Sequence, residues 1–229
     1  DRVGPLRFTL ALSNAGSHLA IHRTDPAPRL PVALGGLGIS LADITLLYTG
    51  IANGGVAKPL RYIEGTPGGA SHKLFGPIAA YYLRDILAGV ALPEGWAMGQ
   101  GLSKQRTIAF KTGTSYGFRD AWSVGFSNDY TIGVWVGRAD GAPRMGSVGR
   151  EAAGPSLLKT FGLLPSDRNP DPAPPSGAIL VQSTAALPRG LQIFTRDIQQ
   201  TPTPVATNVP PPTISFPPMA ISPDSGRSS

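Results

Sequence analysis

The chain has 229 residues, a formal net charge of +6, no cysteine, 29 glycines and 24 prolines. Its length allows one large domain or two small ones, and a 41% hydrophobic share is enough for a buried core. The lack of cysteine excludes a disulfide scaffold, a thiolate zinc or iron–sulfur site and a cysteine nucleophile.

The opening Asp1-Arg-Val-Gly reads as a stretch of a longer chain rather than a beginning. No basic start followed by an apolar run marks a signal peptide. The longest uncharged apolar-rich run, Leu30 to Ala42, has 13 residues, short of the ~18–20 that span a membrane. Residues 6–22 are helix-like but weakly periodic, and Arg23 to Pro31, with three prolines, is a loop. Ser40-Leu-Ala-Asp43 resembles a capping box opening an apolar helix that carries Leu41, Ile44, Leu47, Tyr48 and Ile51 and stops at Asn53-Gly54-Gly55. Lys58 to Ile63 reads as a short strand. Pro77 to Ala88 has the spacing of a second helix, with Pro at its start and Gly89 at its end.

The most strand-like stretch follows. Thr107 to Thr114 leads to Ala121–Phe126, a turn at Ser127-Asn128-Asp129, and Tyr130–Val136, a pattern that predicts three consecutive antiparallel strands. Residues 148–163 are amphipathic and broken by Pro155. Helices before and after adjacent antiparallel strands give an α+β fold, an antiparallel sheet packed by helices. Beyond Pro165 the composition changes. Fourteen of the 24 prolines lie between Pro165 and Pro223, and residues 166–229 hold four basic and four acidic residues, so the whole net charge belongs to residues 1–165. Residues 1–165 are therefore expected to form the folded part and 166–229 a mostly irregular Pro-rich tail, with short strand candidates at 178–181, 191–194 and 213–216.

Lys111-Thr112-Gly113-Thr114 has the most chemical content. Glycine lets another backbone or a ligand come close to a strand. The hydroxyls of Thr112 and Thr114 can donate to a carboxylate, and Lys111 supplies a fixed positive charge. Lys104, Arg106, Lys111 and Arg119 follow one another with no acid between Glu94 and Asp120. Such an edge suits an anionic, extended ligand added as a further strand.

Ala109-Phe-Lys-Thr-Gly-Thr-Ser-Tyr-Gly-Phe-Arg-Asp-Ala-Trp122, Val124-Gly125 and Tyr130 to Arg138 together resemble the third-motif region of penicillin-binding transpeptidases, most of all bifunctional class A proteins of the 1C type. Leu30 to Ser40 and Tyr48 to Gly55 are similar to the segment upstream of that motif, and Pro212 to Pro217 to the opening of the family's small C-terminal domain. The resemblance covers about residues 3–165 and implies a partial serine β-lactamase-like transpeptidase fold. It implies that residues 1–165 are the C-terminal part of the transpeptidase domain and 166–229 a linker and the start of a truncated C-terminal domain.

The implied activity is cross-linking of peptidoglycan stem peptides ending in D-Ala-D-Ala. A serine in Ser-x-x-Lys attacks the penultimate D-Ala carbonyl and forms an acyl-enzyme, and β-lactams acylate the same serine. By resemblance Lys111 contributes the positive field, Thr112 and Thr114 hold the donor carboxylate, Gly113 lets it approach, and the Thr114 backbone N–H donates to the oxyanion. The implied setting is the periplasmic side of the bacterial inner membrane, with the anchor and a glycosyltransferase domain elsewhere in the parent protein. No cofactor or metal is implied.

The chain departs from the family pattern. No Ser-x-x-Lys precedes Lys111, and Ser13-Asn14 and Ser127-Asn128 lack the spacer of Ser-x-Asn. Ser156-Leu-Leu-Lys159 follows the strand and reads as a chance match. The nucleophile is thus expected before Asp1 and the chain alone inactive. The alternative is a non-catalytic remnant that binds peptide or wall through its basic edge. His18 and His22, four apart, lack a third metal ligand. Asp120 reads as a turn residue, and Trp122 and Trp135 as packing. The basic residues are scattered, which excludes a nucleic-acid stripe.

Overall fold

The computed structural model describes residues 3–20, 30–93 and 106–179. The chain divides into a compact unit, Asp1–Ala178, and a second, Ile179–Ser229. The tail strand candidates at 191–194 and 213–216, and all but the first two residues of that at 178–181, lie outside the described residues, as do Arg23–Arg29 of the expected loop. Among the described residues no helix is long and apolar enough to cross a membrane.

Helix α1 spans Pro5–Asn14 with proline in its first turn. It ends well before residue 22, correcting the longer helix expected. Gly16 takes φ +89 there, a left-handed conformation that no helix continues through. Leu19–Ala20 (β1) instead pairs antiparallel with Gly38–Ile39 (β2). Helix α2, Leu41–Ala52, starts as the sequence predicts. The Asp43 N–H donates to Ser40 Oγ at 3.0 Å, and the Ser40 hydroxyl donates to Asp43 Oδ2 at 2.6 Å. The Asn53-Gly54-Gly55 stop holds, with both glycines at positive φ.

The expected strand over 58–63 does not form. Val56–Ala57 (β3) pairs with His72–Lys73 (β4) instead, and Pro59, lacking an N–H, cannot extend that ladder. Helix α3 spans Pro77–Ala88 as predicted.

The three central strands form as predicted: β5 Ala109–Thr114, β6 Asp120–Phe126 and β7 Thr131–Gly137, antiparallel in the order β5-β6-β7. The register pairs Gly113 with Trp122 and Trp122 with Trp135. A short helix α4, Gly149–Ala152, then precedes α5, Gly154–Leu163. Pro155 sits in the first turn of α5, where a missing N–H costs nothing.

Alternation along the strands gives the sheet two faces. On one, Phe126 meets Tyr48 of α2 edge-on at 6.4 Å and lies under the Arg84 guanidinium of α3. On the other, Phe110 joins Leu157 and Phe161 of α5 in a core that takes in Ile132 and Val134. The result is helices, sheet, helices. The expected α+β class with an antiparallel sheet packed by helices is what forms.

Asp167 and Asp171, just beyond Pro165, bond to this body. Asp167 accepts from the Ser127 hydroxyl at 2.9 Å and the Asn128 N–H at 3.2 Å. Its carboxylate also stands 3.4 Å from Arg106 Nε, the two side chains only 3% and 4% exposed. Asp171 accepts from Thr107 Oγ1 and Asn128 Nδ2, each at 3.0 Å, and pairs with Arg84 at 3.4 Å. Burial pushes the Asp171 carboxyl up, but these partners outweigh it and hold it below the usual value.

Asp43 shows the same balance. Burial raises its pKa, and hydrogen bonds from Ser40 and His18 bring it below the ordinary carboxylate value. A depressed folded-state pKa stabilises the fold above the unfolded value of about 4 and loses that contribution as pH falls. Asp43→Asn is expected to cost on the order of 1 kcal/mol at pH 7, with the gap closing between about pH 5 and pH 3 in melts across that range. In the core, Leu157→Ala is expected to cost about 2–5 kcal/mol in denaturant unfolding. At Gly133 a Cβ would stand 2.2 Å from Thr45 Oγ1, so Gly133→Ala is expected to cost about 1–3 kcal/mol by forcing α2 off the sheet.

Candidate functional site

Lys111, Thr112, Gly113 and Thr114 all lie on β5, which among the described residues pairs only with β6. Its other edge carries the chemistry. The Ser115 N–H donates to Asp120 O at 2.9 Å, so that pair faces inward. Antiparallel ladders alternate bonded and non-bonded pairs. In the register Thr114↔Ala121 and Thr112↔Ser123, the backbone groups of Thr112 and Thr114 therefore point away from β6, to the open edge. Lys111 Nζ donates to Thr112 O at 2.7 Å, which brings its charge over that edge. No carboxylate among the described residues bonds to it.

Gly113 and Thr114 are exposed and Thr112 is half-buried. A Cβ at Gly113 would meet only Trp122 Cβ, at an ordinary 3.7 Å. Packing among the described residues does not require glycine there, so the bare backbone is left for an approaching chain. Thr114 Oγ1 accepts from the Gly149 N–H at 2.9 Å, a partner with no sequence signal, since nothing in residues 148–163 marks α4 as touching β5.

The β5–β6 loop is tightly built. Phe118 takes φ 57, its N–H donates to Ser115 O at 3.1 Å, and its carbonyl accepts from the Arg144 N–H at 2.9 Å. Tyr116 at its tip is fully exposed. Asp120 accepts from Trp135 Nε1–H at 2.9 Å, and its own N–H donates to Ser115 Oγ at 2.8 Å, a structural role as the turn position suggests. Trp122 and Trp135 are cross-strand neighbours with ring centroids 6.4 Å apart.

The remaining candidates stand elsewhere. His18 bonds to Asp43 at 3.3 Å, and His22 lies outside the described residues, as does Lys104 of the basic series. No group of three or more potential metal ligands occurs among the described residues. Ser156 and Lys159 are exposed on α5, the helix packed behind the sheet. A hollow lined by Tyr81, Arg84, Thr107 and Asp171 lies at the opposite end of β5 from Thr114, and its Arg84 and Thr107 both bond to Asp171.

No family model matches the chain. Penicillin-binding protein 1C of Escherichia coli K12 is 37% identical over 196 residues, which is 83% of this chain and 25% of that protein. Penicillin-binding protein 1A of Clostridium tetani is 37% identical over 81 residues, and that of Aquifex aeolicus 49% over 53 residues, covering 10% and 7% of those proteins. The chain thus spans a quarter or less of the length of these relatives. A solved structure of penicillin-binding protein A from M. tuberculosis, an imipenem acyl-enzyme complex, covers 56% of this chain and 32% of its own at 23% identity, with a TM-score of 0.40. The likeness to the E. coli protein runs through the strands that carry Lys111 to Thr114 and the helices on both sides of them, and the chain belongs to the penicillin-binding proteins.

Proposed function

We propose that this chain supplies the carboxylate-binding strand of a serine-type peptidoglycan DD-transpeptidase. The observation that carries the reading is the open edge of β5, with Thr112 and Thr114 backbone groups facing outward, Lys111 over the edge and Gly113 bare. A stem peptide ending in D-Ala-D-Ala lies along this edge as an added strand. Lys111 draws the terminal carboxylate, and the hydroxyls of Thr112 and Thr114 donate to it. The Thr114 N–H stabilises the oxyanion when the penultimate carbonyl is attacked.

The attacking serine comes from polypeptide preceding Asp1, so this stretch does not acylate by itself. β-Lactams carry a carboxylate beside their reactive carbonyl and occupy the same edge. Residues 1–165 form the C-terminal part of the transpeptidase domain. Residues 166–229 form the linker and the start of a further domain, and the first few linker residues bond back to the body. The parent protein works in cell-wall synthesis on the periplasmic side of the inner membrane, held by its own anchor and carrying a glycosyltransferase domain.

A fluorescent penicillin tests this reading on the 229-residue chain and on a longer polypeptide that includes the preceding Ser-x-x-Lys. Labelling of the longer polypeptide only is expected. In it, Lys111→Ala should slow labelling about tenfold or more, the worth of one charge-assisted contact. Gly113→Ala should also slow labelling while changing stability by under about 1 kcal/mol, since its Cβ meets nothing closer than 3.7 Å. If neither polypeptide is labelled, the transpeptidase reading falls. Saturable binding of a D-Ala-D-Ala peptide in that case would leave the wall-binding remnant in its place.

A further inference from the structure

Helix α4 packs on the sheet, and at Gly149 the approach is backbone to backbone. A Cβ on Gly149 would stand 2.1 Å from Gly113 O and 2.7 Å from Trp122 O. Both are main-chain atoms of the central rung, which cannot move aside as a flexible side chain would, so only glycine lets α4 come this close. At that distance the Gly149 N–H reaches Thr114 Oγ1, 2.9 Å away. A threonine hydroxyl has one proton and two lone pairs. With a lone pair engaged by Gly149, the proton turns away from α4, and no acceptor among the described residues takes it. Thr114 is exposed on the strand whose other side is open.

We propose that Gly149 is a positioning residue for the carboxylate site. It touches neither ligand nor reacting atoms. Its N–H holds the Thr114 oxygen as an acceptor, so the hydroxyl proton is presented outward to an anionic group lying along β5. The inference rests on the reading of β5 as the carboxylate-binding strand. It adds that the strand's hydroxyl is oriented from behind, by a backbone contact that any side chain at 149 would break.

The test compares two probes on the longer polypeptide: a penicillin with its free carboxylate and the methyl ester of the same penicillin. The free acid accepts a charge-assisted bond from the oriented hydroxyl, and the ester carbonyl only a weaker neutral one. Gly149→Ala is expected to slow acylation by the acid about tenfold or more, the loss of one charge-assisted hydrogen bond, and to leave the ester rate near its original value. On a Thr114→Val background the same substitution should add no further selective loss, because the two act through one contact. Hydrogen exchange at the Gly149 amide supplies a readout that does not require the Ala variant to fold. It should be slow in the unmodified protein, fast in Thr114→Val and slow again in Thr114→Ser. An unchanged acid-to-ester ratio in Gly149→Ala overturns the inference, as does equal exchange in the Val and Ser variants. Failure of the unmodified polypeptide to label with either probe overturns the transpeptidase reading beneath it, and the inference with it.

Discussion

A strand paired on one side only presents a row of unmatched N–H and C=O groups to any chain that can supply the other ladder. β5 is such a strand among the described residues, and the packing around it keeps its edge in place. Phe110 drives into the Leu157 and Phe161 core on one face, while Ala109 is buried on the other. The strand is thus clamped through its first residues. Its last four, Lys111 to Thr114, emerge from that clamp with exposed or half-exposed side chains. The buried half holds the exposed half, so the open backbone groups keep fixed directions.

Two further contacts refine that arrangement from opposite ends. At the start of β5, Arg106 is buried against Asp167 and also donates to the carbonyls of Phe161 and Pro165. Removing one partner of such a pair leaves a buried charge uncompensated, at a cost of about 3–5 kcal/mol. Asp171 fastens Thr107 in the same way and links it to Arg84 of α3. At the far end, Gly149 settles onto the Gly113–Trp122 rung and bonds to Thr114. The β5–β6 loop then closes on itself through Ser115 and Asp120.

The charge distribution gains meaning from these contacts. Residues 166–229 are electrically neutral as a segment, and as composition that looks like indifference. Two of its four acids, Asp167 and Asp171, are partners for basic residues of the body. The body's net positive charge is therefore partly answered near the start of β5, while Lys111 has no carboxylate partner among the described residues. The composition break at Pro165 and the end of the first compact unit at Ala178 are different boundaries. One is a change in proline content. The other is where the first compact unit ends.

Much of this was legible in the chain. The cap at Ser40 and the glycine stop at Asn53 are local signals, because capping and left-handed turns need only neighbouring residues. The three strands were legible because alternation and a polar turn are local too, and the order of residues in Lys111-Thr-Gly-Thr pointed to a candidate site. Where a local signal met a competing partner it failed. Leu19 and Ala20 continued an apolar pattern but joined β2 once Gly16 had turned the chain, and Lys58 to Ile63 gave way to a ladder through His72 and Lys73. By itself, then, the sequence determined most of the element types and the family, and it singled out Lys111 to Thr114 as the candidate site. Only the tertiary structure decided which edge of β5 stays open, that Gly149 backs Thr114, and that Asp167 and Asp171 clasp its start. The last two depend on contacts between residues about 35 to 64 positions apart, and no local pattern encodes which distant backbone will come within bonding distance.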